Sequence, residues 1–375
     1  METCAPYARE DIARDLDSAW DAIASATVDD RVQAKNWDHW LEYCSDARRD
    51  PYLQDSSATI QQHLLLIGFA ARNRRGYYGR GLQVGTQTPE TALRHVAQTI
   101  VLAGYPDPRR SYGSTDLDLP FSRLLKSYKA TDPAPKPQLA LPIRAIICVV
   151  NFYRAKQTLV ASTVADLLTI AFFFLLRPGE YAMTSARSKT RTVQFRRQDI
   201  RFFSDGTILP HSAPLAELQQ ADGVRLYLDN QKNGQRGSTM YHTALNQAFC
   251  PVKALANRAH YLYSIAPEDA SLPISYVGNT HHVTTADITL AVRESVVLSG
   301  LLNSGYSPSR VSAHSLRASG AMALRLNNVG EDLIKKLGRW SSSTWLTYIH
   351  SQISSLSAGL SEKMTIHHVF YNVGS

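Results

Sequence analysis

Through residues 6–129 the apolar residues recur at helical spacing, as in the segments KNWDHWLEYC and TIQQHLLLIGF. In an α-helix this spacing gathers apolar side chains on one face, which then packs against a neighbouring helix. Proline and glycine interrupt the pattern at residues 50–51, 76–81 and 104–110. Residues 1–129 are therefore predicted to form a small all-helical domain of four or five helices.

The pattern changes after a proline-rich segment, residues 130–142, which holds four prolines and is predicted to be an extended interdomain linker. Helical spacing returns over residues 143–176. Alternation typical of strands follows in RTVQFRRQDIRFF and GVRLYLDNQ, with a turn expected at Asp205-Gly206. Beyond Pro251 the chain is again helical. The predicted fold is mainly α, of the α+β class, with a small antiparallel sheet in a second domain, residues 143–375.

Composition adds a basic balance, with 40 Lys+Arg against 32 Asp+Glu and a net charge of +8. This excess suits a polyanionic partner such as nucleic acid, although many basic proteins bind none. The four cysteines are scattered without metal-ligand spacing, so we expect no metal site. The most apolar stretch, residues 164–176, is too short to span a bilayer and is predicted to be a buried helix. We expect a soluble, intracellular protein.

The candidate chemistry lies in the last third of the chain. His314 and Arg317 are three residues apart on a predicted helix, so both side chains leave one face. Gly330 and Gly338 lie where helices are expected to stop, and Tyr348 follows on the next predicted helix. Taken singly, each residue has a common structural explanation, since a tyrosine on an amphipathic helix usually belongs to the core.

Taken together, these residues resemble the C-terminal signature of the tyrosine recombinases, the phage-integrase family. HSLR is followed by GRW and then by Tyr348 and His350. Upstream, LLRPGEY supplies Arg177 and Glu180, and LDNQKNGQRG supplies Lys232 at the tip of a predicted hairpin. The segments FFLLRPGEY and GRWSSS resemble segments of the recombinases of eukaryotic mobile elements of the Crypton and DIRS types.

The sequence departs from the bacterial pattern at one position. That pattern has histidine after the glycine and the tyrosine nine residues later. Here Arg339 follows Gly338, and Trp340 precedes Tyr348 by eight residues. Trp340 is the preferred candidate for the sixth catalytic position, with Arg339 as the alternative.

The resemblance implies DNA strand cleavage and rejoining through a 3′-phosphotyrosine, by residues that line one basic cleft: Arg177, Lys232, His314, Arg317, Trp340 and Tyr348. Arginine suits phosphate because it donates two parallel hydrogen bonds and stays charged. Tyr348 would be the nucleophile, Lys232 the general acid and His314 a donor or base, while Glu180 would orient Arg177. Residues 1–129 would be the core-binding domain and residues 143–375 the catalytic domain.

The implied partner is double-stranded DNA, bound by a homotetramer, with no cofactor, membrane or small-molecule substrate. A eukaryotic protein of this kind would be nuclear. Two basic stretches are candidates for DNA contacts, with solvated surface as the alternative; their residues are Arg72, Arg74, Arg75, Arg187, Lys189, Arg191, Arg196 and Arg197. A topoisomerase of type IB and a DNA-binding protein without catalysis are the alternative functions.

Overall fold

A computed structural model describes residues 30–54, 59–133, 138–184, 193–228, 237–340 and 346. The chain divides into two compact units, Met1–Pro135 and Lys136–Ser375. This division falls inside the proline-rich segment 130–142. Each unit has its own apolar core.

The described part of unit 1 contains four helices: α1 (Asp30–Ala47), α2 (Thr59–Arg74), α3 (Gln87–Leu102) and α4 (Leu119–Thr131). Their apolar faces meet around Trp40, Phe69 and Phe121, which are fully buried. The Trp40 indole N–H donates to the carbonyl of Pro51 at 2.9 Å, so its one polar atom is satisfied inside the core. Burial of these large aromatic side chains stabilises unit 1.

The end of the predicted linker belongs to unit 2. Leu139, Ala140 and Leu141 are buried in the core of that unit. The main-chain N–H of Leu139 donates to the carbonyl of Arg310 at 2.9 Å, and that of Leu141 donates to Ser319 Oγ at 2.7 Å. Their apolar side chains explain why these residues join the core although prolines surround them.

Unit 2 is built mainly from helices, and α6 lies at its centre. The helices are α5 (Ile143–Ala155), α6 (Leu159–Phe173), α7 (Pro178–Tyr181), α8 (Leu215–Gln219), α9 (Pro251–Ile265), α10 (Thr285–Leu298), α11 (Ala313–Leu326) and α12 (Glu331–Gly338). Eleven of the fifteen residues of α6 are buried, because α5, α9, α10 and α11 all pack against it. Among the residues that the structure describes, no helix is long and apolar enough to cross a membrane.

Four strands form an antiparallel sheet in the order β2-β1-β3-β4: β1 (Ile200–Ser204), β2 (Thr207–Leu209), β3 (Gly223–Leu228) and β4 (Ser238–Thr243). The β1–β2 turn is Asp205-Gly206, as predicted, and both residues have positive φ, as the tight hairpin turn requires. One face, which includes Phe202, Val224 and Met240, is buried. A short hairpin, β5 (Tyr276–Gly278) and β6 (His281–His282), completes the described strands.

The fold prediction, mainly α with a small antiparallel sheet, is thus confirmed. The strand predicted over RTVQFRRQDIRFF is wrong for residues 193–199, because β1 begins at Ile200 and residues 197–199 form a 3₁₀ turn, whereas residues 191 and 192 lie outside the described residues. Asp199 causes the difference. Its carboxylate accepts hydrogen bonds from the main chain and guanidinium of Arg196, which closes the turn locally.

In the described part of unit 2, four helices are followed by a left-handed residue that is not glycine; one of these residues is Gln157, after α5, with φ of 53°. The other three are Leu175 after α6, Asn328 after α11 and Arg339 after α12, with φ of 47°, 60° and 55°. In each of these three cases the next main-chain N–H bonds back five residues, which is the Schellman arrangement that usually places glycine at this position. The prediction that a helix stops at Gly338 is confirmed, since Gly338 is the last residue of α12, although Arg339 takes the left-handed position. Gly330 does not end a helix, because it is the residue that precedes α12.

Candidate active site

Arg177 stands directly before the one-turn helix α7, whose first residue is Pro178. Glu180 turns back onto it. Its Oε2 accepts from the main-chain N–H of Arg177 at 2.8 Å, and its Oε1 accepts from Arg177 Nη1 at 3.2 Å. The Glu180 side chain is 2% exposed and that of Arg177 is 19% exposed. These contacts are the geometry that the expected orienting role of Glu180 requires.

Arg317 and His314 both lie in the first turns of α11, which begins at the cap residue Ser312. His314 is exposed, and its main-chain N–H donates to Ser312 Oγ at 3.3 Å. Arg317 is buried. Its Nη1 donates to the carbonyl of Leu175, and its Nη2 donates to the carbonyl of Gly338. The N-terminal part of α11 therefore places the His314 side chain at the surface and the Arg317 side chain in the interior.

Leu175 supplies a main-chain acceptor that sequence reasoning missed. Its left-handed conformation ends α6 and directs its carbonyl toward Arg317 Nη1 and Arg339 Nη2, the latter at 3.4 Å. A left-handed non-glycine residue costs about 1 kcal/mol or more, so the surrounding contacts must stabilise it. No sequence signal marks this position, because leucine fills an apolar pocket there and is fully buried.

Arg339 is more buried than the neighbouring Trp340. It is 5% exposed, and its Nη2 forms an ion pair with Glu180 Oε2 at 2.7 Å. Burial lowers the pKa of Arg339, Glu180 opposes this shift, and the charge of Arg177 adds to it. Glu180 thus stands between two arginines, and the three groups together carry a net charge of +1.

Trp340 packs on Arg317 rather than on Arg339. The Arg317 guanidinium carbon lies 4.2 Å from the centre of the indole ring, within the range of a cation–π contact. The ring also packs against Ala321 and Ile334. A Cβ atom added to Gly338 would fall 1.6 Å from the ring, so glycine is required there to let the indole approach.

The structure joins Arg177, Glu180, Arg317, Arg339 and Trp340 into one set, the arginine cluster, through Leu175 and Gly338. His314 lies one turn before Arg317 on the same helix. In sequence, Lys232 falls between the end of β3 and the start of β4, and Tyr348 comes eight residues after Trp340. Both lie outside the described residues, so their side-chain placement stays a prediction.

The three arginines predicted to bind DNA in unit 1 have different surroundings. Arg75 is exposed. Arg72 pairs with Asp46 at 2.6 Å and lies between the rings of Tyr43 and Tyr77.

Arg74 does not fit the prediction of a DNA contact, because its guanidinium is buried and bonded within unit 1. Nη1 donates to the carbonyl of Val84 and pairs with Asp132, and Nη2 donates to the carbonyl of Tyr128 at 3.3 Å and to Thr131 Oγ1 at 3.2 Å. It is 6% exposed. Arg74 therefore ties the C-terminal end of α4 to α2 and presents no guanidinium to a phosphate.

The basic stretch of unit 2 likewise contains both buried and partly exposed arginines. Arg197 is buried, and its Nη2 donates to the carbonyls of Ala266 and Pro267 at 3.3 and 2.6 Å, so it too has a structural role. Arg196 is partly exposed and bound by both oxygens of Asp199. The remaining predicted contacts lie outside the described residues, namely Arg187, Lys189 and Arg191.

The chain thus has a helical unit and a second helical unit with an inserted antiparallel sheet. Solved structures of site-specific recombinases and integrases are similar to the chain over most of its length. The XerH site-specific recombinase, bound to its difH substrate before cleavage, gives a TM-score of 0.50 at 16% identity, covering 88% of this chain and 76% of XerH. The fold is therefore that of the tyrosine recombinases, as the sequence predicts.

Two further structures show weaker likeness. A lambda integrase dimer bound to a COC′ core site gives a TM-score of 0.45 at 12% identity, covering 89% of this chain and 94% of the integrase. The Tn1549 transposon integrase, in complex with transposon right-end DNA, gives 0.44 at 12% identity, covering 80% and 84%. No family model and no curated protein matches the sequence, so the likeness rests on structure.

Proposed function

We propose that this chain cleaves and rejoins double-stranded DNA at specific sites through a 3′-phosphotyrosine on Tyr348. The observation that carries the proposal is a chain of contacts that links Arg317 to Arg177. Arg317 donates to the carbonyl of Leu175, and Arg339 donates to the same carbonyl. Arg339 also donates to Glu180, which accepts from Arg177, and the fold is one that the XerH recombinase shares. A pair of guanidinium groups in one place is what a phosphodiester requires as negative charge develops on its oxygens.

In the proposed reaction the phenol oxygen of Tyr348 attacks phosphorus and the bond from phosphorus to the 5′-oxygen breaks. Arg177 and Arg317 hold the non-bridging oxygens, and His314 donates a further hydrogen bond or accepts the phenol proton. Lys232 protonates the leaving 5′-oxygen. The reverse attack by a 5′-hydroxyl restores the DNA backbone. Arg317 exchanges at least one carbonyl partner for a phosphate oxygen when DNA binds.

Trp340 fills the sixth position in this scheme because it packs on the guanidinium of Arg317. Unit 1 acts as the core-binding domain, with Arg72 and Arg75 at phosphates, and unit 2 acts as the catalytic domain. Synapsis of two DNA sites requires several copies of the chain, so we expect a homotetramer on DNA. Membership of a eukaryotic mobile element, and with it a nuclear location, would be tested by terminal repeats in the flanking genomic DNA.

The test traps the covalent intermediate. Duplexes selected by binding from a random library are nicked a few nucleotides to the 3′ side of each candidate phosphate. After cleavage the short fragment that carries the new 5′-hydroxyl diffuses away and cannot reverse the attack. Wild-type protein should retain the 3′-nucleotide on the peptide that contains Tyr348. Tyr348→Phe should abolish the adduct while binding is nearly unchanged, because only one hydroxyl is lost. Tyr371→Phe, a second tyrosine near the C-terminus, is the matched control and should form the adduct normally.

Other outcomes separate the alternatives. An adduct that survives Tyr348→Phe, or one mapped to Ser341, Ser342 or Ser343, contradicts the proposed nucleophile. Relaxation of any supercoiled plasmid without exchange between two sites would assign the chain to the topoisomerases of type IB. Specific binding with no adduct at any phosphate would assign it to DNA-binding proteins without catalysis.

A further inference from the structure

The backbone conformation of Arg339 does not favour arginine. It ends α12 in the left-handed conformation, with φ 55° and ψ 45°, and glycine is the residue that this position favours. Asn328, which ends α11 in the same conformation, is exposed, whereas Arg339 is 5% exposed. A buried arginine in an unfavourable backbone conformation points to a use for its side chain.

The side chain of Arg339 bonds to the carboxylate that holds Arg177. Its Nη2 lies 2.7 Å from Glu180 Oε2, the same oxygen that accepts the main-chain N–H of Arg177 at 2.8 Å. The other oxygen, Oε1, accepts from Arg177 Nη1 at 3.2 Å. Glu180 is thus shared between Arg177, whose guanidinium is partly exposed, and Arg339, whose guanidinium is buried.

From this geometry we infer that Arg339 is a positioning residue that keeps Arg177 available to the DNA phosphate. The inference rests on the proposed function and deepens it. A carboxylate and a phosphate compete for the same guanidinium donors. Arg339 supplies Glu180 with a second cationic partner, so Glu180 can orient Arg177 without neutralising it. Without Arg339 the buried carboxylate has Arg177 as its remaining arginine partner, and the pair carries no net charge toward the phosphate.

A second contact links the same residue to the other arginine of the site. Arg339 Nη2 lies 3.4 Å from the carbonyl of Leu175, which also accepts from Arg317 Nη1. The end of α12 therefore contacts the acceptors of both proposed phosphate-binding arginines. On this inference Trp340, which packs on Arg317, takes the sixth catalytic position. Arg339 instead acts through Glu180.

The test compares Arg339→Gly with Asn328→Gly in the full chain. Both variants place glycine at a left-handed helix end, so both relieve the backbone, but only the first removes a guanidinium from the site. We expect Arg339→Gly to bind DNA with an affinity within about twofold of wild type. In single turnover it should cleave a suicide duplex about 10- to 100-fold more slowly, a loss typical of removing a residue that orients a functional side chain. Asn328→Gly should cleave at the wild-type rate.

A double-mutant cycle shows whether the effect passes through Glu180. If it does, Glu180→Gln combined with Arg339→Gly should cleave no more slowly than the slower single variant. Arg339→Lys, which keeps the charge, should recover part of the rate and serves as the second variant if Arg339→Gly fails to fold.

Three results overturn the inference. One is wild-type cleavage by Arg339→Gly, another is additive loss in the double variant, and the third is equal loss in Arg339→Gly and Asn328→Gly. The proposed function is judged separately, by the adduct of the wild-type protein on Tyr348. If that adduct fails to form, both proposals fall; if it forms normally while the cycle is additive, only the positioning role of Arg339 falls.

Discussion

Arg74 and Arg75 are neighbours in sequence, yet one is buried and the other is exposed. Helical spacing accounts for the difference. Leu66 and Ala70 lie on the buried stripe of α2, and Arg74 follows Ala70 by four residues, so it continues that stripe. The helical period thus distinguishes the two arginines, because a basic cluster on a helix has both a buried and an exposed face.

Single substitutions at these two positions should therefore affect different properties. Arg75→Ala should reduce the slope of log affinity against log salt by about 1, because one phosphate contact is lost, and leave stability unchanged. Arg74→Met should leave that slope unchanged and lower the free energy of unfolding by about 2 kcal/mol, because its hydrogen bonds to main-chain carbonyls are lost. DNA titrations at several salt concentrations and urea unfolding measure the two effects. A slope that falls with Arg74→Met would restore this residue to the DNA-binding set.

At the scale of elements, the site depends on a close approach of α11 to the end of α6. A Cβ atom added to Gly320 would fall 2.4 Å from the carbonyl oxygen of Phe172 and 2.3 Å from Leu175 Cδ2. Gly320 lies three residues after Arg317 on the same helix. Glycine at this crossing therefore allows the Arg317 guanidinium to reach the carbonyl of Leu175.

Gly320→Ala should destabilise the protein and disturb the site together. Overpacking against a main-chain carbonyl should lower the free energy of unfolding by about 1–3 kcal/mol, although alanine has a higher helix propensity than glycine. Cleavage should slow as well, because α11 carries Arg317 away from its partners. Gly330→Ala is the control, since a Cβ there meets no atom within 4 Å; it should shift stability by less than about 0.5 kcal/mol. Thermal unfolding and single-turnover cleavage provide the two measurements.

The sequence predicts the regular elements well and the irregular joints poorly. Apolar spacing defines α6, and strand alternation with Asp205-Gly206 defines the β1–β2 hairpin, because both patterns are local. Leu175 and Arg339 could not be predicted in the left-handed conformation, since long-range contacts to Arg317 and Glu180 stabilise it. The order and type of Arg177 and Arg317 indicate one site, but not that Glu180 is shared with Arg339.

At the scale of the whole molecule, the net charge of +8 and the proposed phosphate contacts predict binding that weakens steeply with salt. If about six phosphates are neutralised, affinity should fall by roughly 10³ between 50 and 200 mM salt. Fluorescence anisotropy with a selected duplex, repeated at several salt concentrations, measures this slope. An affinity that varies less than tenfold over the range would contradict a binding mode dominated by phosphates.

The ion pair of Arg74 with Asp132 has a consequence for how the two units act together. Asp132 is fixed to unit 1 through Arg74 and through the main-chain N–H of Thr86, and Leu139 is bonded within unit 2. The six residues 133–138 between these anchors span about 25 Å at full extension. If unit 1 binds DNA as proposed, so short a tether would hold unit 2 at an effective concentration of about millimolar near the same duplex. The proposed cleavage by unit 2 would then require only a weak intrinsic affinity of that unit for the site.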